Sequence, residues 1–510
     1  MYQRIIVFVT NRDTVKLASD SYKNAFVESD IRWSFEIRII QRMLAETRMN
    51  TMIKFLGVID TTKRLLPHGA AIFLLTVVFA MTAWGQSPPS DGAGAPGGPG
   101  QSPPPDDSGP YTLSGVYSVD GGAAQTEADK TYISNTDDVS AVYVTNGGKL
   151  TLKNPTIATS GNTTSESNSS FYGLNAGVLA TKGSALTIEG GTISTTGTGA
   201  NGAISTDANS SITLSNVTIT ATNDAAHGVM ATNGGAITLV NVDMQTSGRS
   251  SAPIATDRGS GTITVTGGTV ISSGQGSPGI YATGVITATD LTSVATGSEA
   301  VVIEGKNTVT LTNSKLRGEK LCGVMIYQSF SGDAEVGVAA YTMNGGSLTA
   351  TTGPLFYITN TNAAVTLNGV NATAESGILI KASDGRWGRE GENGGHLIFH
   401  ADKQTLTGDI EVNNISTVTA TLQNGSSLIG AINSANTGKE VNLTLDASSA
   451  WNLTGDSFLT CLTDADGMTG GSISNITGNG HTVSYNANAC AALGGKTYAL
   501  NGGGSLKPIN

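Results

Sequence analysis

Three short strings recur in a fixed order about every twenty-five residues, and this period constrains the fold more than any other feature of the chain. Strands of apolar-Thr-apolar form stand at Leu186-Thr187-Ile188, Ile212-Thr213-Leu214, Ile237-Thr238-Leu239, Ile263-Thr264-Val265 and Val309-Thr310-Leu311. Their threonines, with Thr287 between the last two, step by 26, 25, 26, 23 and 23 residues. A second string keeps the same time: it begins at Gly177, Gly202, Gly228, Pro253 and Gly279 and closes on Thr181, Thr206, Thr232, Thr256 and Thr283. A fixed period of this size marks a solenoid, in which each repeat is one structural unit stacked on the next.

Within one period the chain offers three short strands: Gly177 to Thr181, Leu186 to Ile188, and Thr192 to Ser194. Strands of two to five residues are not stable alone, but stacked one coil above another they build long parallel sheets. Alternation sends Leu186 and Ile188 inward and Thr187 outward. Asn and Gly at the breaks tolerate the left-handed backbone that a sharp corner needs. The expected fold is all-β, a right-handed three-sided parallel β-helix with coils of about 25 residues; the hand follows from the general preference of parallel crossovers.

Composition agrees with an ordered solenoid. Only 13% of residues are charged and 5% aromatic, yet the 38% that are apolar fall in short alternating runs that disordered chains lack. The formal net charge is −11, and residues 86–510 hold 17 basic and 32 acidic side chains, a net charge of −15. A field of that sign disfavours nucleic acid and anionic membrane surfaces as partners. No spacing of Cys, His or acids reads as a metal site, the calcium-binding Gly-Gly-x-Gly-x-Asp nonapeptide is absent, and no cofactor is implied. Cys461 and Cys490 share the C-terminal region and are candidates for a disulfide in an exported protein, whereas Cys322 stands alone.

Ahead of the repeats, Lys63-Arg64 precede an apolar run from Gly69 to Ala83 and the small residues of Ala83-Trp84-Gly85. This order reads as a secretory signal peptide over residues 52–85, cleaved after Gly85, since the apolar core is shorter than a membrane span needs. Residues 1–51 then read as a mis-called start, with Met52 or Met49 as the true one, or as a short leader with an amphipathic helix around Trp33 to Leu44. Residues 86–110, rich in Pro and Gly, read as an extended linker. The β-helix is expected over 111–510, with an N-terminal cap, and with a C-terminal capping region from about 400 that ends in Tyr498 to Asn510.

The period fails in three places, where insertions are expected to leave the coil: Ser160 to Gly173 as a loop bulging from a corner with Phe171 and Tyr172 at its root, Lys315 to Gln328, and Lys381 to His396. Insertions in solenoids often carry binding function. The last holds Arg386, Trp387, Arg389, Glu390, Glu392 and His396, with His400 close behind. An exposed Trp beside Arg and Glu is a sugar-binding platform, through ring stacking and bidentate hydrogen bonds. A second candidate is a groove formed by Asp207, Asp224, Asp257 and Arg258, about one coil apart near one corner. A flat array of outward threonines, such as Thr262, Thr264 and Thr266, also has the form of an ice-binding face, although threonine is simply a good strand residue.

The string Asn146-Gly147-Gly148-Lys149-Leu150-Thr151-Leu152 and its echo Asn233 to Leu239 resemble the coil motif of bacterial adhesin-like right-handed β-helix proteins, including autotransporter passengers. Val441 to Asp446 followed by Ser449 to Ser457 is similar to the stretch near the C-terminal end of such passengers. Autotransporters continue into a membrane barrel ending in an aromatic residue, whereas this sequence ends Lys507-Pro508-Ile509-Asn510, so the resemblance is to a passenger without its translocator. It implies a secreted, extracellular or cell-surface bacterial protein that is not an enzyme and binds glycans or surface and matrix proteins through its faces and corner loops. Polysaccharide lyases and hydrolases share the fold, and a carbohydrate-active enzyme is the alternative; three or more carboxylates and an Arg converging in one groove would favour it.

Overall fold

The coils from Gly115 to Ala374 each contribute one strand to each of three parallel sheets, and the register between coils is the one that the sequence period dictates. A computed structural model describes Val7–Thr10, Thr14–Leu17 and residues 110–509 apart from 330 and 465. The chain divides into two compact units, Met1–Ser87 and Pro88–Asn510. In the first, Val7–Thr10 and Thr14–Leu17 pair antiparallel. The expected helix at Trp33 to Leu44, the signal peptide at 52–85 and nearly all of the linker at 86–110 lie outside the described residues.

The second unit is a parallel β-solenoid of sheets with 14, 12 and 10 strands, followed by a nine-stranded C-terminal sheet. One coil supplies Val178–Ala180, Ala185–Glu189 and Thr192–Thr195, and the next supplies Ala203–Thr206, Ser211–Ser215 and Thr218–Ala221. Thr187 lies beside Thr213, which lies beside Thr238, and the column continues through Thr264 and Thr287 to Thr310. These threonines face out of the 14-stranded sheet, while Ile212 and Leu214, on the other side of the same strand, are completely buried. Inward aliphatics from every coil join one continuous core along the solenoid axis. Burying each contributes about 1.5–3 kcal/mol, so the stack holds although no single coil is stable alone.

One corner shows why Asn and Gly recur at the breaks. Asn216, Asn241, Gly267, Asp290 and Asn313 stand one above another at the end of the 14-stranded sheet, each with φ between 50° and 68°. Each donates its backbone N–H to the next coil, as from Asn216 to Val240 O at 2.9 Å and from Asn241 to Thr266 O at 2.9 Å. Left-handed backbone is accessible to Gly and tolerated by Asn and Asp, and it turns the chain without breaking the ladder of hydrogen bonds.

Two insertions differ from the sequence expectation. Residues 160–173 do not bulge from a corner as a loop; they contain a helix, Glu166–Tyr172, that buries Phe171 against a sheet face. The Ser165 side chain caps its N-terminus by accepting from Asn168 N at 3.1 Å, and Gly173 ends it with φ 86°. In the coil after Thr310, Lys315–Gly318 and Val324–Tyr327 are regular strands, and the extra length falls at 328–337 instead. At the C-terminus, Tyr498–Asn501 and Ser505–Ile509 turn antiparallel on each other.

Cys461 and Cys490 form a disulfide with Cα atoms 4.9 Å apart, closing a separation of 29 residues. A loop of that length corresponds to about 3–4 kcal/mol in the chain-entropy account. Because solenoid coils couple chiefly to their neighbours, reduction is expected to loosen the C-terminal sheet alone. Hydrogen exchange should quicken from Ser457 to Ile509 while the coils between Thr151 and Thr342 stay protected; uniform loosening of the whole solenoid would refute this.

Candidate functional site on the outer face of the twelve-stranded sheet

The 12-stranded sheet presents two outward columns, and both are covered along much of their length. By register, one column runs through Leu179, Ile204, Met230, Ala255, Tyr281 and Val302. The second follows the strand ends through Thr206, Thr232, Asp257, Thr283, Glu304 and Tyr327. All three insertions bear on this face. The helix lies over its N-terminal part, where the carbonyl of Phe171 accepts from Thr206 Oγ1 at 3.3 Å, Thr232 Oγ1 at 2.7 Å and Asn233 Nδ2 at 3.0 Å. Towards the other end Trp387 packs with Val302, Cys322, Met325 and Tyr327.

Between the two covers lies a charged cluster assembled from four coils. The Arg258 backbone N–H donates to Asp257 Oδ1 at 2.8 Å, and its guanidinium Nε donates to Asp333 Oδ1 at 2.9 Å. The same guanidinium sits 3.9 Å over the Phe171 ring, a cation–π contact. Glu304, only 1% exposed, accepts at Oε2 from Tyr281 OH at 2.8 Å and Tyr327 OH at 3.0 Å. Its Oε1 accepts from the hydroxyls of Ser329 and Ser331. Thr283 stands between Asp257 and Glu304 in the outward column, and its buried Oγ1 has no hydrogen-bond partner among the described residues.

The electrostatics follow from Asp257 and Asp333 sharing one guanidinium with a third carboxylate, Glu304, close by. Burial pushes the Asp257 carboxyl well above its usual range, the charges of Asp333 and Glu304 push it further, and the Arg258 N–H and guanidinium pull against them. Burial also raises Glu304, and the Ser329, Tyr281 and Tyr327 hydroxyls draw it back down. A buried carboxylate that accepts from four hydroxyls is well satisfied; Asp257 and Asp333 are both half-buried residues. Among the described residues no group of three or more His, Cys, Asp and Glu is placed to hold a metal ion.

The candidates chosen from sequence are distributed differently. Asp257 and Arg258 stay together, and Asp207 stands at the same corner two coils away, one residue beyond Thr206, whereas Asp224 lies at another corner. Asp207 accepts from Thr181 Oγ1 at 3.0 Å and Lys182 N at 3.1 Å, and Asp224 accepts from Arg249 N at 2.8 Å. Trp387 is no exposed platform: it is 2% exposed, because its indole covers the apolar outward column. Arg386 stacks on it at 4.1 Å, and Arg389 pairs with Glu392 at 3.2 Å in full solvent exposure, with Glu390 exposed beside them. His396 belongs to the 14-stranded sheet, where its Nδ1 meets Thr417 Oγ1 at 3.1 Å, and burial and Lys439 lower its pKa. His400 shares that sheet.

Sequence reasoning missed Glu304, Asp333, Tyr281 and Tyr327. A signal for the first was present, since Glu304 occupies the column that holds Thr206 and Thr232 in earlier coils. A carboxylate replacing threonine in a repeating outward position is a local breach of the pattern, and breaches of pattern mark candidate sites. No family model, curated protein or solved structure matches the chain.

Proposed function

We propose that this protein is a secreted or surface-associated, adhesin-like β-solenoid that binds glycans on the outer face of its 12-stranded sheet, between the Glu166–Tyr172 helix and the Trp387 insertion. The observation that carries this reading is the convergence there of Asp257, Arg258, Asp333 and Tyr281, a mixed set of donors and acceptors. Sugar hydroxyls are recognised by such sets, with carboxylate and guanidinium supplying directional hydrogen bonds.

Charge decides the class of glycan. Two like charges 4 Å apart repel by about 4 kcal/mol at the effective dielectric of a protein surface. With three acids against one Arg, a uronate would meet net repulsion, whereas a neutral or amino sugar would not. The long face of the 14-stranded sheet, lined by a column of threonines, serves in this reading as the stalk that carries the cluster.

A glycan array probed with the full chain is expected to retain neutral or amino-sugar glycans in preference to polyuronates. Arg258→Lys keeps the charge but loses the planar fork, and should weaken that retention about tenfold. Preference for polyuronates, or an Arg258→Lys variant that binds as the parent does, would sink the proposal.

A further inference from the structure

All three sheets of the solenoid stop together at its N-terminal end, and the coil that ends them breaks the pattern of the core. The strands Gly115–Asp120, Gln125–Ala128 and Thr131–Ser134 are the terminal members of the 12-, 14- and 10-stranded sheets, so among the described residues each has one open edge. In the 14-stranded sheet one inward column runs from Leu152 through Ile188, Leu214, Leu239, Val265, Ala288 and Leu311 to Met343. Every one of these is apolar, yet the position above Leu152 holds Glu127, and the position above Leu150, in the neighbouring inward column, holds Gln125. Tyr117 and Tyr132 complete this last layer of the core, their rings 4.9 Å apart, with the Tyr117 hydroxyl donating to Gln125 Oε1 at 2.9 Å. Burial raises the pKa of both hydroxyls, Tyr117 raises that of Tyr132 further, to about 12, and the charge of Glu127 beside them adds to each.

The chain reaches this coil from the side. Tyr111 stacks on Tyr172 of the helix, ring centroids 4.7 Å apart, and Leu113 packs with Tyr143, Leu179 and Ile204, so residues 111–114 arrive along the outer face of the 12-stranded sheet rather than over the end. The opposite end is closed differently, by the antiparallel pairing of Tyr498–Asn501 with Ser505–Ile509. An open strand edge is a template for another chain, and a charged side chain turned inward is one way of blunting it. We propose that the N-terminal coil is a guarded contact surface for a second copy of this chain, which Glu127 holds off: with that charge removed, two molecules join end to end across the three open edges. Identical ends meet in such a joint, so it is two-fold. The edge of the 14-stranded sheet then pairs antiparallel with its own copy, while the edges of the 12- and 10-stranded sheets pair with each other. In the parent the joint would bring two Glu127 carboxylates into one buried layer, and like charges there oppose it. Assembly stops at the dimer, because the hairpin closes the other end.

The test is sedimentation of the full chain at neutral pH, with hydrogen exchange read at the edge strands. The parent is expected to sediment as a monomer and to exchange quickly in Gln125–Ala128. Glu127→Leu, alone or with Gln125→Leu, restores the apolar column and should strengthen self-association at least about 100-fold, with exchange in Gln125–Ala128 and Thr131–Ser134 slowing as the dimer forms. Glu127→Gln keeps the shape and removes only the charge; it should strengthen association about tenfold, and it carries the test if the leucine variants do not fold. Thr213→Leu adds a leucine to the outer face of the 14-stranded sheet, away from the end, and should remain monomeric. A parent that already dimerises through these strands, or that shields them as a monomer, would overturn the guard, as would folded Glu127 variants that associate no better than the parent. Thr213→Leu associating as strongly as Glu127→Leu, or a Glu127→Leu dimer whose edge strands still exchange quickly, would put the joint elsewhere and overturn the proposal as well.

Discussion

Replacing Arg258 with alanine is expected to destabilise the solenoid by about 2–3 kcal/mol at neutral pH, far more than loss of an exposed ion pair. The Asp333 side chain is 8% exposed and that of Arg258 27%, so removing the guanidinium strands a desolvated carboxylate beside two others. The Arg389–Glu392 pair, open to solvent on both sides, should cost under about 1 kcal/mol when broken. The sign of the pH dependence is fixed by Asp257 and Glu304, whose carboxyls titrate above their ordinary range in the folded chain. Between an ordinary carboxylate pKa near ~4 and the raised folded value, the folded chain holds protons that the unfolded chain has released. Stability from this cluster therefore falls as pH rises through that window, and loss of Arg258 deepens the fall. Thermal melting of Arg258→Ala should lie furthest below the parent at pH 7 and approach it near pH 4. Adding Asp333→Asn should recover much of the deficit. A deficit that is the same at every pH would show that packing on Phe171, rather than charge, is what Arg258 supplies.

Trp387→Ala is the second large effect, because the indole is buried on a face that would otherwise be wet. Truncations of buried aromatic residues cost about 3–5 kcal/mol, and here the loss would fall on the insertion at 383–394 and the column it covers. Cys322 lies in that same cluster, 2% exposed, and is the free cysteine of the chain. Burial and Glu299 raise its thiol pKa well above the usual value, so it should be inert in the parent. In Trp387→Ala, labelling of Cys322 by a thiol reagent should quicken by at least an order of magnitude. Unchanged labelling would mean that the column is sealed by something other than Trp387.

The fold was legible because its determinants are local and repeated. Ile212, Thr213 and Leu214 state an alternation within three residues, and the same statement a coil later sets the register of the sheet. The Asn corners likewise need only the backbone of one residue. The site was less legible because it depends on where irregular segments return. Asp333 reaches Arg258 across 75 residues, through an insertion with no period of its own. Trp387 sits among Gly, Arg and Glu and reads as solvent-facing; only the depth of the apolar column beneath it explains why it turns inward. The helix at Glu166–Tyr172 is an intermediate case. Ser165 is a cap signal, yet a segment crowded with Ser and Asn has low helix propensity, and tertiary contact of Phe171 overrides it.

A plain solenoid behaves as a one-dimensional chain of weakly coupled links, in which fraying from an end can travel coil by coil. The contacts made by Phe171 and by Arg258 bridge coils that are not neighbours, the first reaching Thr232 across 61 residues and the second Asp333 across 75. Those bridges lengthen the distance over which coils must open together. The middle of the molecule should therefore unfold as one block, and a defect started at either end should stall when it meets it.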